Sequence, residues 1–484
     1  MIEEAHMLID GEWVEAQGGE TFEVINPATS EVIAHVPKGG PPDAQRALEA
    51  ADQAFKEWSI LPPIKRATIL RQAAQLARER REELGRVVTM EQGKPLKEAI
   101  GEINASAEAL EYFAEEARRM TGETIPTDSP RRRSIVIKQP IGVVVAIGPW
   151  NYPVLLLSWK LGPALIAGCT VVAKPPSEAP LAATRFIALL QEAGAPPGVV
   201  NIVTGPGSDV GKALVVNPLC RKVALTGQTG TGKEIMRLAA GDLKRLSLEL
   251  GGHCPLIVCE DADLDAAVKG GVYRSFRNMG QICNAINRIY VHHSIYQAFV
   301  DKFVERTKRL VIADGLKNSD ADLGPMTNED GRQKTKEHIR DAVSKGAKVL
   351  WGGREPPGEE YAKGFFFEPT VLVDVNHEMK VMKEETFGPV APIMAVASLE
   401  EAIEYANDSL YGLVAYVYTK DLAKAIMAAE CLEYGTVGIN NVAGGEVAFP
   451  YGGWKQSGIG VENSSHAVEE YLQMKHIRID IGEG

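Results

Sequence analysis

Residues 225 to 234 read LTGQTGTGKE. The spacing Gly227-x4-Gly232-Lys233 is that of a phosphate-cradling P-loop as far as its lysine. Such a loop then needs a Ser or Thr to hold magnesium. Here the next residue is Glu234, and a carboxylate beside triphosphate oxygens would repel them. A nucleotide triphosphatase is therefore the weaker reading of this stretch. A second cluster, TGPGSDVG, carries Gly205, Gly207 and Gly211 but has the wrong last spacing for a GxGxxG dinucleotide fingerprint. Both clusters end an apolar run and open a helical segment, where a dinucleotide's pyrophosphate or backbone contacts can form. Glycine at such turns also serves plain backbone freedom. The six cysteines, at 169, 220, 254, 259, 283 and 431, include no CxxC pair. Neither a disulfide framework nor a metal site is expected, and a reducing cytoplasm fits. Taken alone, any one of them reads as an inert core residue.

The chain has 484 residues, too many for one ordinary core, so two or three domains are expected. A net charge of −12 argues against nucleic acid or an anionic membrane as the main partner. Arg131-Arg132-Arg133 is the one compact basic run and reads as a solvated loop. The opening MIEEAHMLIDGEW lacks the basic and apolar regions of a signal peptide. PVLLLSWKLGPALIAGC is shorter than a membrane span and carries Lys160, so it reads as a buried helix. Residues 42–118 show helical spacing. A turn, a loop and an alternating strand follow, the pattern of a hairpin arm at about 120–140. From 142 to about 260, short apolar runs such as GVVVAIG, TVVAKP and KVALTG alternate with helices, the mark of a parallel sheet covered by helices. A second such rhythm runs from PLIVCE to GTVGIN. Two α/β domains are expected to abut near 250–260.

Four linked stretches add a different kind of information: GPWNYP (148–153), KPPSEAP (174–180), LELGG (248–252) and FRNMGQICNAINR (276–288). With EETFGP (384–389) and PYGGWKQSGIG (450–460), their order and spacing resemble the aldehyde dehydrogenase superfamily over essentially the whole chain. EYFAEEARRMTGETIP, IVIKQPIGV and LEYGTVGIN look most like its succinate-semialdehyde dehydrogenase branch. The resemblance implies a Rossmann-like domain for a nicotinamide dinucleotide (1–119 and 141–250), an α/β catalytic domain (251–448), and an oligomerisation arm (120–140 and 462–484) joining a homodimer or homotetramer. It implies a Cys283 thiolate that attacks the aldehyde, so that a hydride can leave the alkoxide and a thioester remain. Asn151 and the Cys283 backbone N–H would hold the oxyanion, each donor worth about 3–4 kcal/mol of barrier. Glu249 would activate the water that cleaves the thioester, its two following glycines giving the carboxylate room to swing. Trp150, Lys174, Ser177, Gly207, Gly227, Gly232, Glu385 and Phe387 would meet the cofactor. Lys233 would be a surface helix residue.

Departures from the family pattern bear on specificity. Where a Glu often grips both adenosine-ribose hydroxyls, Ser177 stands here, with Glu178 one residue late. A hydroxyl admits a 2′-phosphate that a carboxylate repels, so NADP is expected, with NAD possible. Succinate-semialdehyde enzymes clamp the substrate carboxylate with two arginines and a serine. Arg277 holds one of these positions, Trp159 replaces the other arginine, and the serine position falls near Gly445. Losing a charged partner costs about 2–5 kcal/mol in a desolvated site. Arg277 has a structural alternative, an ion pair with a neighbouring carboxylate. A short acidic aldehyde is the first substrate reading; a sulfonated, hydroxylated or aromatic aldehyde is the second. Ala285 stands where some relatives carry a second cysteine, so no redox switch with Cys283 is expected. A catalytically silent structural relative is the remaining class, opposed by the presence together of Asn151, Glu249 and Cys283.

Overall fold

A computed structural model describes residues 3–482; residues 1, 2, 483 and 484, the ends of the expected cofactor domain and arm, lie outside the described residues. Four helices come early, Pro41–Trp58, Pro63–Glu79, Arg81–Gln92 and Leu96–Glu115. The first starts where two prolines preset its opening turn and the Asp43 carboxylate accepts the Gly40 N–H at 2.9 Å.

The apolar β-branched runs then build an eight-stranded sheet. Its strands lie in the order Gly458–Ile459, Arg245–Glu249, Cys220–Thr226, Val143–Ile147, Thr170–Lys174, Val200–Ile202, Met7–Ile9 and Glu12–Val14. The five from Arg245–Glu249 to Val200–Ile202 are parallel. The chain begins in the middle of these five, at Val143–Ile147, winds outward one way through Thr170–Lys174 and Val200–Ile202, then returns to wind the other way. This is the dinucleotide-fold order, with its crevice where Val143–Ile147 and Cys220–Thr226 lie side by side. The short outer strands are antiparallel.

A second, seven-stranded sheet runs Lys348–Trp351, Thr370–Val373, Val390–Val396, Ile286–His292, Cys254–Val258, Val414–Tyr418 and Thr436–Ile439. All its neighbours are parallel except the first pair. The chain passes between the sheets in only four residues, from Glu249 at the carboxyl end of one to Cys254 at the amino start of the other. The two sheets therefore meet with opposite ends, and the site lies at that seam.

Glu123–Ile125, Arg132–Pro140 and Leu472–Asp480 form a separate antiparallel ribbon. Its last strand begins at Leu472, later than the expected boundary at 462. Residues 464–469 are a helix, and Glu462, Asn463 and Ser464 are buried, so this segment belongs to the body of the protein. The helical segment expected after the TGPGSDVG cluster is a π turn, Gly207–Gly211, followed by a short helix, Lys212–Val216. No helix among the described residues is long and apolar enough to cross a membrane.

Candidate active site

Cys283 sits in the turn before Ile286–His292, on the amino edge of the second sheet. The residues leading to it are unusual. Asn278, Met279 and Gly280 have φ of 49°, 58° and 68°, a left-handed run in which only the last is glycine. Such a run costs energy and persists only where its surroundings determine it. They do so here: Gln92 donates to Asn278 Oδ1 at 3.1 Å, and a Cβ on Gly280 would meet Gly388 O at 2.3 Å. The run delivers Cys283 half-buried, its side chain against Glu249.

Asn151 follows Val143–Ile147, the central parallel strand of the other sheet, and arrives beside it. Its side-chain amide donates to Gln281 O at 2.9 Å, while its backbone carbonyl accepts from the buried Lys94 at 2.7 Å and from Asn278 at 3.2 Å. An amide has two N–H groups, so one stays unspent. The backbone N–H of Cys283 also has no acceptor among the described residues. These are the two donors expected to hold an oxyanion.

Glu249 ends the strand Arg245–Glu249 and is buried. Among the described residues neither of its oxygens has a hydrogen-bond partner within normal geometry, though the side chains of Cys283 and Thr226 lie against it. Burial first, then the Glu462 carboxylate, pushes its carboxyl up to about 8, with Lys160 acting the other way. The Cys283 thiol is also pushed well above its ordinary value, by burial and then by Glu249. The two glycines after Glu249 do something other than leave it room. A Cβ on Gly251 would stand 2.7 Å from Glu385 Oε2, and one on Gly252 would stand 2.0 Å from Cys283 O. The glycine pair is what lets the Glu385 carboxylate and the Cys283 backbone approach one turn.

Lys160, which interrupted the apolar helix Leu155–Ala167, donates to Thr226 Oγ1 at 2.6 Å and Glu462 Oε1 at 2.5 Å. Sequence reasoning missed this triad because Glu462 lies 302 residues away; the available signal was a lysine in a helix with no exposed face. It also missed Tyr451, whose hydroxyl lies 3.6 Å from Cys283 Sγ.

On the other side of the seam, Lys174 ends its strand buried, with Pro175 O at 3.1 Å as its one acceptor among the described residues. Burial lowers its ammonium to about 8. A buried ammonium with unspent donors fits a ribose hydroxyl or phosphate. Ser177 is half-buried and its hydroxyl reaches Gly205 O at 3.2 Å. A side chain at Gly207 would meet open space. Glu385 accepts the Gly252 N–H at 2.9 Å, and the Trp150 and Phe387 rings meet edge to face at 5.5 Å. Gly227 N–H donates to Glu249 O at 3.0 Å, tying the LTGQ turn to the end of the strand Arg245–Glu249. A Cβ on Gly232 would stand 2.6 Å from the Leu250 side chain, so this glycine also lets the helix pack closely on the turn after Arg245–Glu249. Lys233 is exposed and bonds Gln456 at 2.8 Å. These groups fit a nicotinamide dinucleotide along the carboxyl edge of the first sheet.

The substrate-side residues are brought together in part. Trp159 and Tyr451 meet at 5.6 Å, and a Cβ on Gly445 would press on both rings, at 3.3 and 3.1 Å. Arg277 forms the ion pair weighed as its alternative: its Nε donates to Glu98 Oε1 at 2.8 Å, and the Tyr152 hydroxyl shares that oxygen at 2.6 Å. Its two terminal nitrogens make no hydrogen bond among the described residues. Arg277, Glu98, Lys97, Tyr273 and Asp322 help line a cavity of about 390 Å³ of which Cys283 is not a wall.

Residues 13–477 match the model of the aldehyde dehydrogenase family. The chain is similar to the glutarate-semialdehyde dehydrogenase of Pseudomonas putida, at 47% identity over 98% of this chain and 97% of the relative. It is similar to the NADP(+) succinate-semialdehyde dehydrogenase GabD of Escherichia coli K12, at 46% identity over 98% of this chain and 97% of that one. The crystal structure of an E. coli NADP dependent enzyme superposes with a TM-score of 0.96 at 45% identity, covering 99% and 98% of the two chains.

Proposed function

We propose a specific reaction for this chain, which belongs to the aldehyde dehydrogenase family: the oxidation of a short aldehyde bearing a terminal carboxylate, such as succinate or glutarate semialdehyde, with NADP as the preferred cofactor. The general activity is NAD(P)-dependent conversion of an aldehyde to its acid. Cys283 gives its proton to the Glu249 carboxylate, and its sulfur bonds to the carbonyl carbon. The carbonyl π electrons move to oxygen, where the free N–H of Asn151 and the Cys283 backbone N–H receive them. NAD(P), when bound, supplies the hydride acceptor. Glu249 releases that proton to solvent, and the regenerated carboxylate takes a proton from the water that attacks the thioester left on Cys283. The carbon–sulfur bond then breaks, the electron pair returns to sulfur, and the acid departs.

The observation that carries the substrate reading is the pair of terminal nitrogens of Arg277, which make no hydrogen bond among the described residues although the guanidinium lies over the Tyr152 and Tyr273 rings. Glu98 occupies only its Nε, leaving the terminal fork that matches a carboxylate. Because Glu98 offsets part of the charge, the anchor is weaker than a lone arginine. The preference for NADP rests on Ser177 and Lys174, a hydroxyl and an ammonium where a carboxylate would repel a 2′-phosphate. We read the ribbon of Glu123–Ile125, Arg132–Pro140 and Leu472–Asp480 as an oligomerisation arm.

The test compares succinate semialdehyde with butanal, an uncharged aldehyde of equal length, by absorbance of the reduced cofactor. Arg277→Gln should raise KM for the acidic aldehyde about 10- to 100-fold, the size of a partly solvated charge contact. KM for butanal should stay within about twofold. An equal effect on both would remove the carboxylate role of Arg277.

A further inference from the structure

Tyr451 is buried, at 3% exposure, and its placement is determined from several directions. Its backbone pairs both ways with Glu462, N–H to O at 2.8 Å and O to N–H at 2.7 Å. Glu462 is itself fixed by Lys160. Its ring rests edge-on against Trp159 with centroids 5.6 Å apart. The backbone at Gly445 closes on the other edge, where no side chain would fit without displacing the ring. All this holds a phenol hydroxyl 3.6 Å from Cys283 Sγ, a hydrogen-bonding distance for sulfur. Among the described residues that hydroxyl has no other partner. Buried phenol hydroxyls are normally hydrogen-bonded, and the partner here is the nucleophile.

We propose that Tyr451 is a further catalytic residue: its phenol donates a hydrogen bond to Cys283 Sγ, fixing the sulfur towards the aldehyde and holding it as the thiolate. This rests on Cys283 being the nucleophile. The titratable groups facing that sulfur are Glu249, Cys254, Tyr416 and Tyr451, with Arg274 one hydrogen bond away through Asn284. Glu249 and burial oppose the thiolate, whereas Tyr451 favours it. Burial also keeps the phenol protonated, well above its ordinary range, so it stays a donor.

The gain is modest on attack and larger on release. Lowering a thiol's pKa by one unit raises the thiolate fraction about tenfold but lowers its intrinsic nucleophilicity by about threefold. The net gain in attack is therefore about threefold. When the thioester breaks, negative charge grows on the same sulfur, and a better-stabilised thiolate leaves faster. One donor thus serves both halves of the reaction.

The test is alkylation of the full chain by iodoacetamide, with neither aldehyde nor cofactor present. The label at Cys283 is quantified by mass spectrometry from pH 6 to 11. In Tyr451→Phe the midpoint should rise by about one unit, and the rate at pH 7 should fall several-fold. Replacing Tyr451 by 3,5-difluorotyrosine, a stronger donor, should move the midpoint down. A merely structural tyrosine would change thermal stability and leave both midpoints in place. Midpoints within 0.2 unit of wild type in both variants, or a downward shift in Tyr451→Phe, would overturn the proposal. Undiminished aldehyde turnover by Cys283→Ala would instead remove the nucleophile, and the role of Tyr451 with it.

Discussion

Glu249, which we propose as the base, stays mostly protonated at neutral pH, because burial and Glu462 hold its carboxyl at about 8 against an ordinary value of 4.5. Two consequences have defined signs. The ionised form grows as pH rises through 8, so kcat should climb over that range. Glu249→Gln should lose this limb and about 10²- to 10⁴-fold of kcat, read from pH–rate profiles. Stability runs the other way. Between pH 4.5 and 8 the folded chain keeps a proton that the unfolded chain has released, so this group's contribution is full below 4.5 and declines as pH rises to 8. The melting temperature of Glu249→Gln relative to wild type should therefore increase across that window. A constant difference would mean the carboxyl is ionised in the fold. At Ser177 the expectation is a cofactor switch. A glutamate there should weaken NADP binding by at least tenfold relative to NAD, measured as NADPH and NADH fluorescence titrations, and an unchanged ratio would refute the role. Cys283, Glu249, Asn151 and Ser177 could be picked out from the sequence as candidates because each sits in a short motif. Tyr451 and the Lys160–Glu462 pair were not, since their meaning lies in partners more than 160 residues away.

At the level of elements, most of the βαβ rhythm could be read from the chain, because parallel strands buried on both faces are runs of apolar, mostly β-branched residues. The helix Glu329–Ser344 could not. It buries only Thr335, His338, Ile339 and Ala342, two of them polar, so no apolar stripe announces it. The N-terminal strands Met7–Ile9 and Glu12–Val14 were also missed, each too short, at three residues, to show alternation. What the motif LELGG could not reveal was the reason for its glycines, which depends on a carbonyl 31 positions further on. Gly252→Ala would drive a Cβ to 2.0 Å from Cys283 O, so the nucleophile's turn must shift. A displacement of that kind should remove more than 99% of turnover, since misplacement by about 1 Å already costs around 100-fold. Gly230→Ala, at a position facing open space, is the control and should retain activity. The helix Leu155–Ala167 carries the other test. Lys160→Met leaves the buried Glu462 carboxylate unpaired, which should cost about 3–5 kcal/mol in urea unfolding. The double replacement with Glu462→Leu should recover much of that loss.

For the molecule as a whole, the ribbon of Glu123–Ile125, Arg132–Pro140 and Leu472–Asp480 stands outside both sheets, and its two outer strands each pair on one side only. Leu472–Asp480 is nine residues long and exposes Met474 (76%) and Ile479 (40%). A long edge of this kind is a template for pairing unless it is blunted or covered. No proline or bulge blunts it: its register with Arg132–Pro140 runs unbroken from Leu472 to Asp480. The arm is also basic, with Arg131, Arg132, Arg133, Lys138, Lys475 and Arg478, on a chain whose net charge is −12. Attraction between such an arm and the acidic body of another copy would favour association and weaken with salt. We therefore expect a dimer or tetramer in solution. The double variant Met474→Asp, Ile479→Asp should lower the mass measured by light scattering to that of a smaller species, with an unaltered far-ultraviolet circular dichroism spectrum. The apolar residues lost are the ones left bare in the single chain, so the change should act on association and not on the fold. A variant that keeps the wild-type mass across low and high salt would show that this edge is not where the copies meet.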